Sequence, residues 1–290
     1  MAASRRPAAV FTIVREEPVF LPIWLRYYSC HFSAEDIYVL HHTVPGGPED
    51  RCCDGLACNV EQRPNALFDP VWLGRVVSEK QTELLSRYRA VLFAEVDEIV
   101  LPTEGTLRDT VEEFAQQDGG ADGAAAAVAC TGWEVCERLQ PRSARTPGLR
   151  PDRAFCGASR QQLHHEFGRE PPIDLSRPLL AQRGRWHRNT LYDKALLARA
   201  PLTYSLGFHT CEEPAARREG LLLLHLHKYD FQAYIARHEA RAAMQHAPDA
   251  VANGWNTHYR ATGSALMAQY LQTPAPLESI PEWLRSSRVV

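Results

Sequence analysis

Residues 89–98, Arg89-Ala90-Val91-Leu92-Phe93-Ala94-Glu95-Val96-Asp97-Glu98, pass from a continuous apolar run into a cluster of acids. An uninterrupted apolar run of this length suits a strand buried on both faces of a parallel sheet. The acids then stand where the strand leaves the sheet, and in open α/β sheets ligands bind at the carboxyl ends of the strands. Strand side chains alternate with period two, so Glu95 and Asp97 are expected on one side and Glu98 on the other. Two hard oxygen donors converging there suit Mg2+ or Mn2+ facing a diphosphate. The competing reading is a solvated acidic turn at a sheet edge.

Working outward, Ala8 to Val14 reads as a first buried strand. Pro18 to Phe32 places Phe20, Ile23, Trp24, Tyr27 and Tyr28 on one helical face, and Asp36 to His41 is a second strand, which makes a βαβ unit. Cys58 to Gln62 suits a short third strand, and Asp69-Pro70 reads as N-cap and first position of a helix reaching Tyr88 with Val71, Trp72, Val76 and Leu84 on its apolar face. Thr106 with Asp109 resembles a capping box for a helix ending at Gly119-Gly120. Strands are expected over Ala124 to Cys130, Thr203 to Thr210 and Leu221 to His227, with Asp230 capping a helix to Gln245. Residues 138–178 read as long loops, with substrate contacts there, and the tail from Pro248 as irregular until Ile280.

The chain of 290 residues has formal charge −3 with its 32 basic residues dispersed, so nucleic acid is not an expected partner. Only Lys80, Lys194 and Lys228 are lysines. The longest apolar run, Leu221 to Leu226, is broken by His225 and falls far short of the roughly 20 residues of a helical span. No secretion signal is read, and the expected location is cytoplasmic. Eight cysteines form no CxxC pair; Cys52, Cys53 and Cys58 cluster, but adjacent cysteines rarely serve one ion and no His follows closely, so the expectation is free thiols.

The order strand, Arg15-Glu16-Glu17, helix, strand, helix, then Leu92-Phe93-Ala94-Glu95-Val96-Asp97-Glu98 and a late His-rich strand resembles the glycosyltransferase family 2-like proteins and their family 92 relatives. The resemblance implies a GT-A-like, Rossmann-like α/β fold: a mixed, mainly parallel sheet flanked by helices in a single domain over 8–245, with an irregular to helical extension over 246–290. It implies a transferase taking a sugar from a nucleotide diphosphate sugar, UDP-linked first, to an acceptor hydroxyl, with Mn2+ or Mg2+. Glu95 replaces the family's first Asp, and Asp97 carries over as the dependable metal ligand. Late histidines complete such sites, which brings in His227 as a metal ligand and His209 toward the sugar; His225 shares the strand face of His227. By the same resemblance Arg15, Glu17, Lys194, Lys228 and Arg185 face the nucleotide and its phosphates. Gln182-Arg183-Gly184-Arg185-Trp186 matches the QxxRW pentapeptide of processive members, which puts Trp186 near the acceptor.

Trp133 suits stacking on a sugar ring or anchoring a core. Glu98 and Asp193 lead the candidates for the catalytic base, with Glu134 and Asp152 behind them. The expected partners are the donor and a hydroxyl acceptor, with a homodimer left open. One rival is a non-catalytic nucleotide- or glycan-binding relative. Another is a nucleotidyltransferase, which should show a Gly-rich basic loop where Val14-Arg15-Glu16-Glu17-Pro18 stands. A bare partner platform would bind neither UDP nor metal.

Overall fold

Strand β1 (Arg6–Val14) is buried from Ala8 to Thr12 because its apolar, β-branched side chains find cover on both faces. In the computed structural model, which describes residues 5–47, 49–117, 125–136, 173–174, 176–271 and 277–285, β1 is an interior strand. It pairs in parallel with β2 (Ile37–Thr43) on one side, and β2 pairs in parallel with β3 (Asn59–Pro64). On its other side it pairs in parallel with β4 (Tyr88–Phe93), Phe11 opposite Phe93. Helices α2 (Pro70–Arg87) and α3 (Leu107–Gln116) pack on these strands, and α1 (Phe20–Tyr28) packs on the strand Glu98–Pro102, Tyr27 donating to the Val100 carbonyl at 2.7 Å. The result is a mixed α/β arrangement with mainly parallel central strands flanked by helices, compatible with a Rossmann-like fold.

The chain divides into two compact units, Met1–Trp133 with Asn189–His225, and Glu134–Arg188 with Leu226–Val290. It passes between them inside β6 (Ala127–Cys136) and again inside β9 (Ala215–Lys228). In the first unit β8 (Ala195–Ala198) runs antiparallel between β4 and the start of β6, and β5 (Glu98–Pro102) runs antiparallel to β9, Glu98 opposite His225. In the second unit β7 (Arg185–Arg188) pairs antiparallel with β10 (Glu278–Ser279). There α4 (Leu179–Gln182) precedes α5 (Phe231–Ala243), whose cap Asp230 accepts from the Ala233 N–H at 2.9 Å. After α6 (Pro248–Ala252) comes α7 (Gly263–Leu271), where Leu266, Met267 and Tyr270 cover Phe231, Tyr234 and Ile235.

Asp69 caps α2 as expected, its side chain accepting from the Val71 N–H at 2.9 Å, but the apolar face differs. Val71 is exposed, and Val77, Lys80, Gln81 and Leu85 are buried instead, since polar heads pair inward on this helix. The Lys80 ammonium meets Glu61, reaches Glu83 at 2.8 Å and lies 4.6 Å from the centre of the Tyr38 ring. Lys194 is likewise fully buried, and Lys228 keeps 14% of its side-chain exposure. The strand expected over Thr203 to Thr210 does not form: Gly207 at φ 78° and Phe208 at φ 60° turn the chain left-handed there. The tail from Pro248 is helical where its apolar residues recur at helical spacing. The helix end at Gly119-Gly120, Asp152 and most of the loops expected over 138–178 lie outside the described residues. Among those described, no helix is long and apolar enough to cross a membrane.

Candidate functional site

The strand order β3-β2-β1-β4 reverses direction between β1 and β4, and their carboxyl ends lie side by side, the Ala94 N–H bonding the Phe11 carbonyl at 3.2 Å. Such a reversal opens a crevice in a twisted sheet. Arg15 follows β1 at this edge, and Glu95 to Glu98 follow β4.

The acids do not alternate as a strand would. β4 stops at Phe93, and residues 95–98 form a turn closed by the Glu98 N–H on the Glu95 carbonyl at 2.9 Å. Glu98 therefore does not point away from Glu95. Its Oε2 accepts from the Glu95 N–H at 3.0 Å, and its Oε1 lies 2.6 Å from Lys194 Nζ. Glu95 Oε2 takes the same ammonium at 2.6 Å and keeps 29% side-chain exposure, whereas Glu98 has none. Burial alone would lower the Lys194 pKa, but Glu95 and then Glu98 outweigh it and raise it above the ordinary lysine value. Burial pushes the Glu98 carboxyl up against the pull of Lys194; for Glu95 the Lys194 charge wins over burial and holds the carboxyl below its usual range. The ammonium expected to meet phosphate is thus engaged by two carboxylates.

Asp97 leaves the turn on its own and is buried, its Oδ2 3.6 Å from His225 Nε2. The imidazole of His225 stacks on the Tyr192 ring, centroids 3.9 Å apart at 29°. Tyr192 ends a short turn, Thr190–Tyr192, whose cap Asn189 accepts from the Leu191 N–H at 3.1 Å and donates its own backbone N–H to the Gly132 carbonyl at 3.1 Å. A Cβ on Gly132 would meet the Tyr192 backbone at 2.4 Å, so glycine permits this approach. Asp193 Oδ1 accepts from the Gly132 N–H at 2.9 Å, and Oδ2 lies 3.6 Å from Arg217, leaving the side chain 22% exposed. His209 contacts the Leu191 carbonyl at 2.9 Å through Nδ1 and tilts toward Tyr192; burial, then the Lys194 charge, lowers its pKa.

The other expected residues fall elsewhere. Arg15 lies 3.8 Å from the Glu16 carboxylate. Glu17 is buried before α1, and its N–H bonds the Cys52 sulfur. Trp133 is half-buried on β6. Arg185, Trp186, His227 and Lys228 belong to the second unit. There His227 Nε2 faces His238 Nε2 at 3.0 Å, Lys228 lies 3.9 Å from Glu134, and Glu134 meets His187 at 3.1 Å. Trp186 is buried, and Arg185 lines a cavity of about 330 Å3 with Arg183, Ser279 and Arg285.

Asp97 with His225 fits a divalent ion by donor chemistry, one hard oxygen and one imidazole nitrogen. Glu95 is tied up from within, its Oε2 held by Lys194 at 2.6 Å. Sequence reasoning missed the Tyr192 stack and the Lys194 clamp, both made by residues about a hundred positions from the acidic turn. No family model matches the chain, and no curated protein sequence matches it.

Proposed function

We propose that the chain is a GT-A-like transferase that takes a sugar from a nucleotide diphosphate sugar, with UDP as the first nucleotide to test. The observation that carries this reading is Asp97 paired to His225 at the carboxyl edge where the sheet reverses between β4 and β1. Asp97 and His225 would hold Mn2+ or Mg2+. Bound there, such an ion neutralises the charge that develops on a departing diphosphate. Arg15, at the neighbouring strand end, adds a fixed positive charge for phosphate.

Glu98 is not the base in this mechanism, because it is fully buried with both oxygens engaged and a base must reach the hydroxyl proton. Asp193 takes that role: its carboxylate is oriented by Gly132 and keeps access to solvent. Tyr192 holds the His225 ring by stacking, and His209 and Trp133 offer aromatic surface for a sugar.

A second reading is favoured by the Lys194 clamp: a turn whose acids are already neutralised from within can bind nucleotide without turning it over. The test is thermal stabilisation by UDP, GDP, ADP and CDP with and without Mn2+, in wild type and Asp97→Ala, followed by donor hydrolysis. Ion-dependent stabilisation by one nucleotide, lost in Asp97→Ala and accompanied by hydrolysis, supports transfer. Stabilisation without hydrolysis supports the binding reading, and no stabilisation by any nucleotide overturns both.

A further inference from the structure

A second group of ligand-bearing side chains stands at the end of β2, on a different loop. His41 lies two residues before the end of that strand, and Cys52 and Cys53 follow in the loop leading to β3. Consecutive residues in an extended chain face opposite ways, but a turn closed by the Asp54 N–H on the Arg51 carbonyl at 3.0 Å brings both sulfurs to one side. Cys52 Sγ lies 3.6 Å from Cys53 Sγ and 4.0 Å from His41 Nε2, and the three ligand atoms all lie within 4.8 Å of one another.

These separations match a known shape. Bonds of about 2.3 Å to thiolate and about 2.0 Å to imidazole place the corners of a tetrahedron roughly 3.5–3.8 Å apart. Ligation therefore needs only small adjustments. The donors are soft, which selects a zinc-class ion over Mg2+ or Ca2+.

Asp50 supplies the remaining parts. Its Oδ2 lies 2.9 Å from His41 Nε2 and 3.5 Å from Cys52 Sγ, within reach of the fourth corner. The carboxylate is fixed by backbone donors, the Cys52 N–H on Oδ1 at 3.0 Å and the Glu16 N–H on Oδ2 at 2.7 Å. Against burial these bonds hold its pKa at about 2, so it stays charged. Glu16 adopts φ 48° to present its N–H here, a conformation disfavoured for a residue with a side chain. The site is buried at His41 and Cys53 and partly open at Cys52.

We propose that His41, Cys52 and Cys53, with Asp50 as fourth or supporting ligand, form a zinc-class metal site that clamps the loop after β2 onto the end of β1. The full chain, stripped by chelator and kept reduced with a phosphine, is titrated with Co2+. The expected result is one equivalent bound with a thiolate-to-cobalt charge-transfer band, displaced stoichiometrically by Zn2+ and lost in Cys53→Ser. Asp50→Asn removes the charge at the fourth corner and should weaken binding by at least about 10-fold.

To separate loss of metal from loss of fold, wild type is also alkylated with iodoacetamide. Zn2+ should protect Cys52 and Cys53 while exposed Cys30 reacts at an unchanged rate. A folded wild type that shows no thiolate band, or no protection of these two thiols, overturns the proposal. So does a band that survives Cys52→Ser and Cys53→Ser but disappears in Cys136→Ser, because Glu134, Cys136 and His187 form a separate buried group in the second unit.

Discussion

The turn at residues 95–98 and the loop at residues 50–53 follow strands of the same parallel set, yet they hold charge in opposite ways. In the first, two glutamates close on the Lys194 ammonium inside the protein, and the fold supplies the counter-ion. In the second, a lone carboxylate is fixed by two backbone N–H groups and a histidine, and the nearby thiols meet no cation of the chain among the described residues. A strand end can thus be neutralised by a distant lysine or left for an ion. The first arrangement builds stability; the second leaves ligand capacity.

Removing the internal counter-ion should give the largest effect. Lys194→Met leaves the buried Glu98 and the partly exposed Glu95 without their cation and should cost about 3 kcal/mol in a urea titration, while Cys52 and Cys53 alkylation in the folded state stays as in wild type. Equal loosening of both loops would break the comparison. Gly132→Ala should cost about 2–3 kcal/mol, because the added methyl meets backbone at 2.4 Å that cannot rotate away. Its change should appear in the near-ultraviolet signal of Tyr192. Tyr192→Leu removes the stack on His225 together with the ring's contacts to His209 and the Lys194 ammonium, and should cost about 1 kcal/mol.

The two regions should also part in their pH response. The Lys194 pKa is raised in the folded state, so its contribution is complete below the ordinary value of 10.5 and fades as pH rises through the folded value. The Asp50 pKa is lowered, so its contribution is complete above the ordinary 3.8 and is lost as pH falls toward about 2. Stability profiles should therefore lose their alkaline slope in Lys194→Met and part of their acid slope in Asp50→Asn. An unchanged acid limb in Asp50→Asn would remove the distinction.

The sequence made some of this legible. An apolar run ending in acids announced β4 and its acidic edge, and Asp69-Pro70 announced α2, because both signals are local. The fate of the acids was not legible: Glu95 meets Lys194 ninety-nine residues on, and sequence spacing carries no trace of that contact. The expected alternation failed because the strand stopped one residue before Ala94 and a turn took over. The thiol group escaped for a related reason. Its histidine lies upstream on β2 rather than at motif spacing beside the cysteines, so only pairing of β2 with its neighbours places it. The Thr203 to Thr210 misreading traces to Gly207, whose left-handed backbone ends what looked like an extended run.

The three lysines are all committed to the interior or to ion pairs, and together they are every lysine the chain has. Amine chemistry therefore finds no freely exposed ε-amino group on the native protein. Ester dyes, cross-linkers and sensor surfaces that capture amines should label the folded chain poorly at lysine, and brisk lysine labelling would report unfolding before any spectroscopic change was sought. Attachment through Cys30, the exposed thiol among the described residues, is the better handle for immobilising this protein with its fold intact.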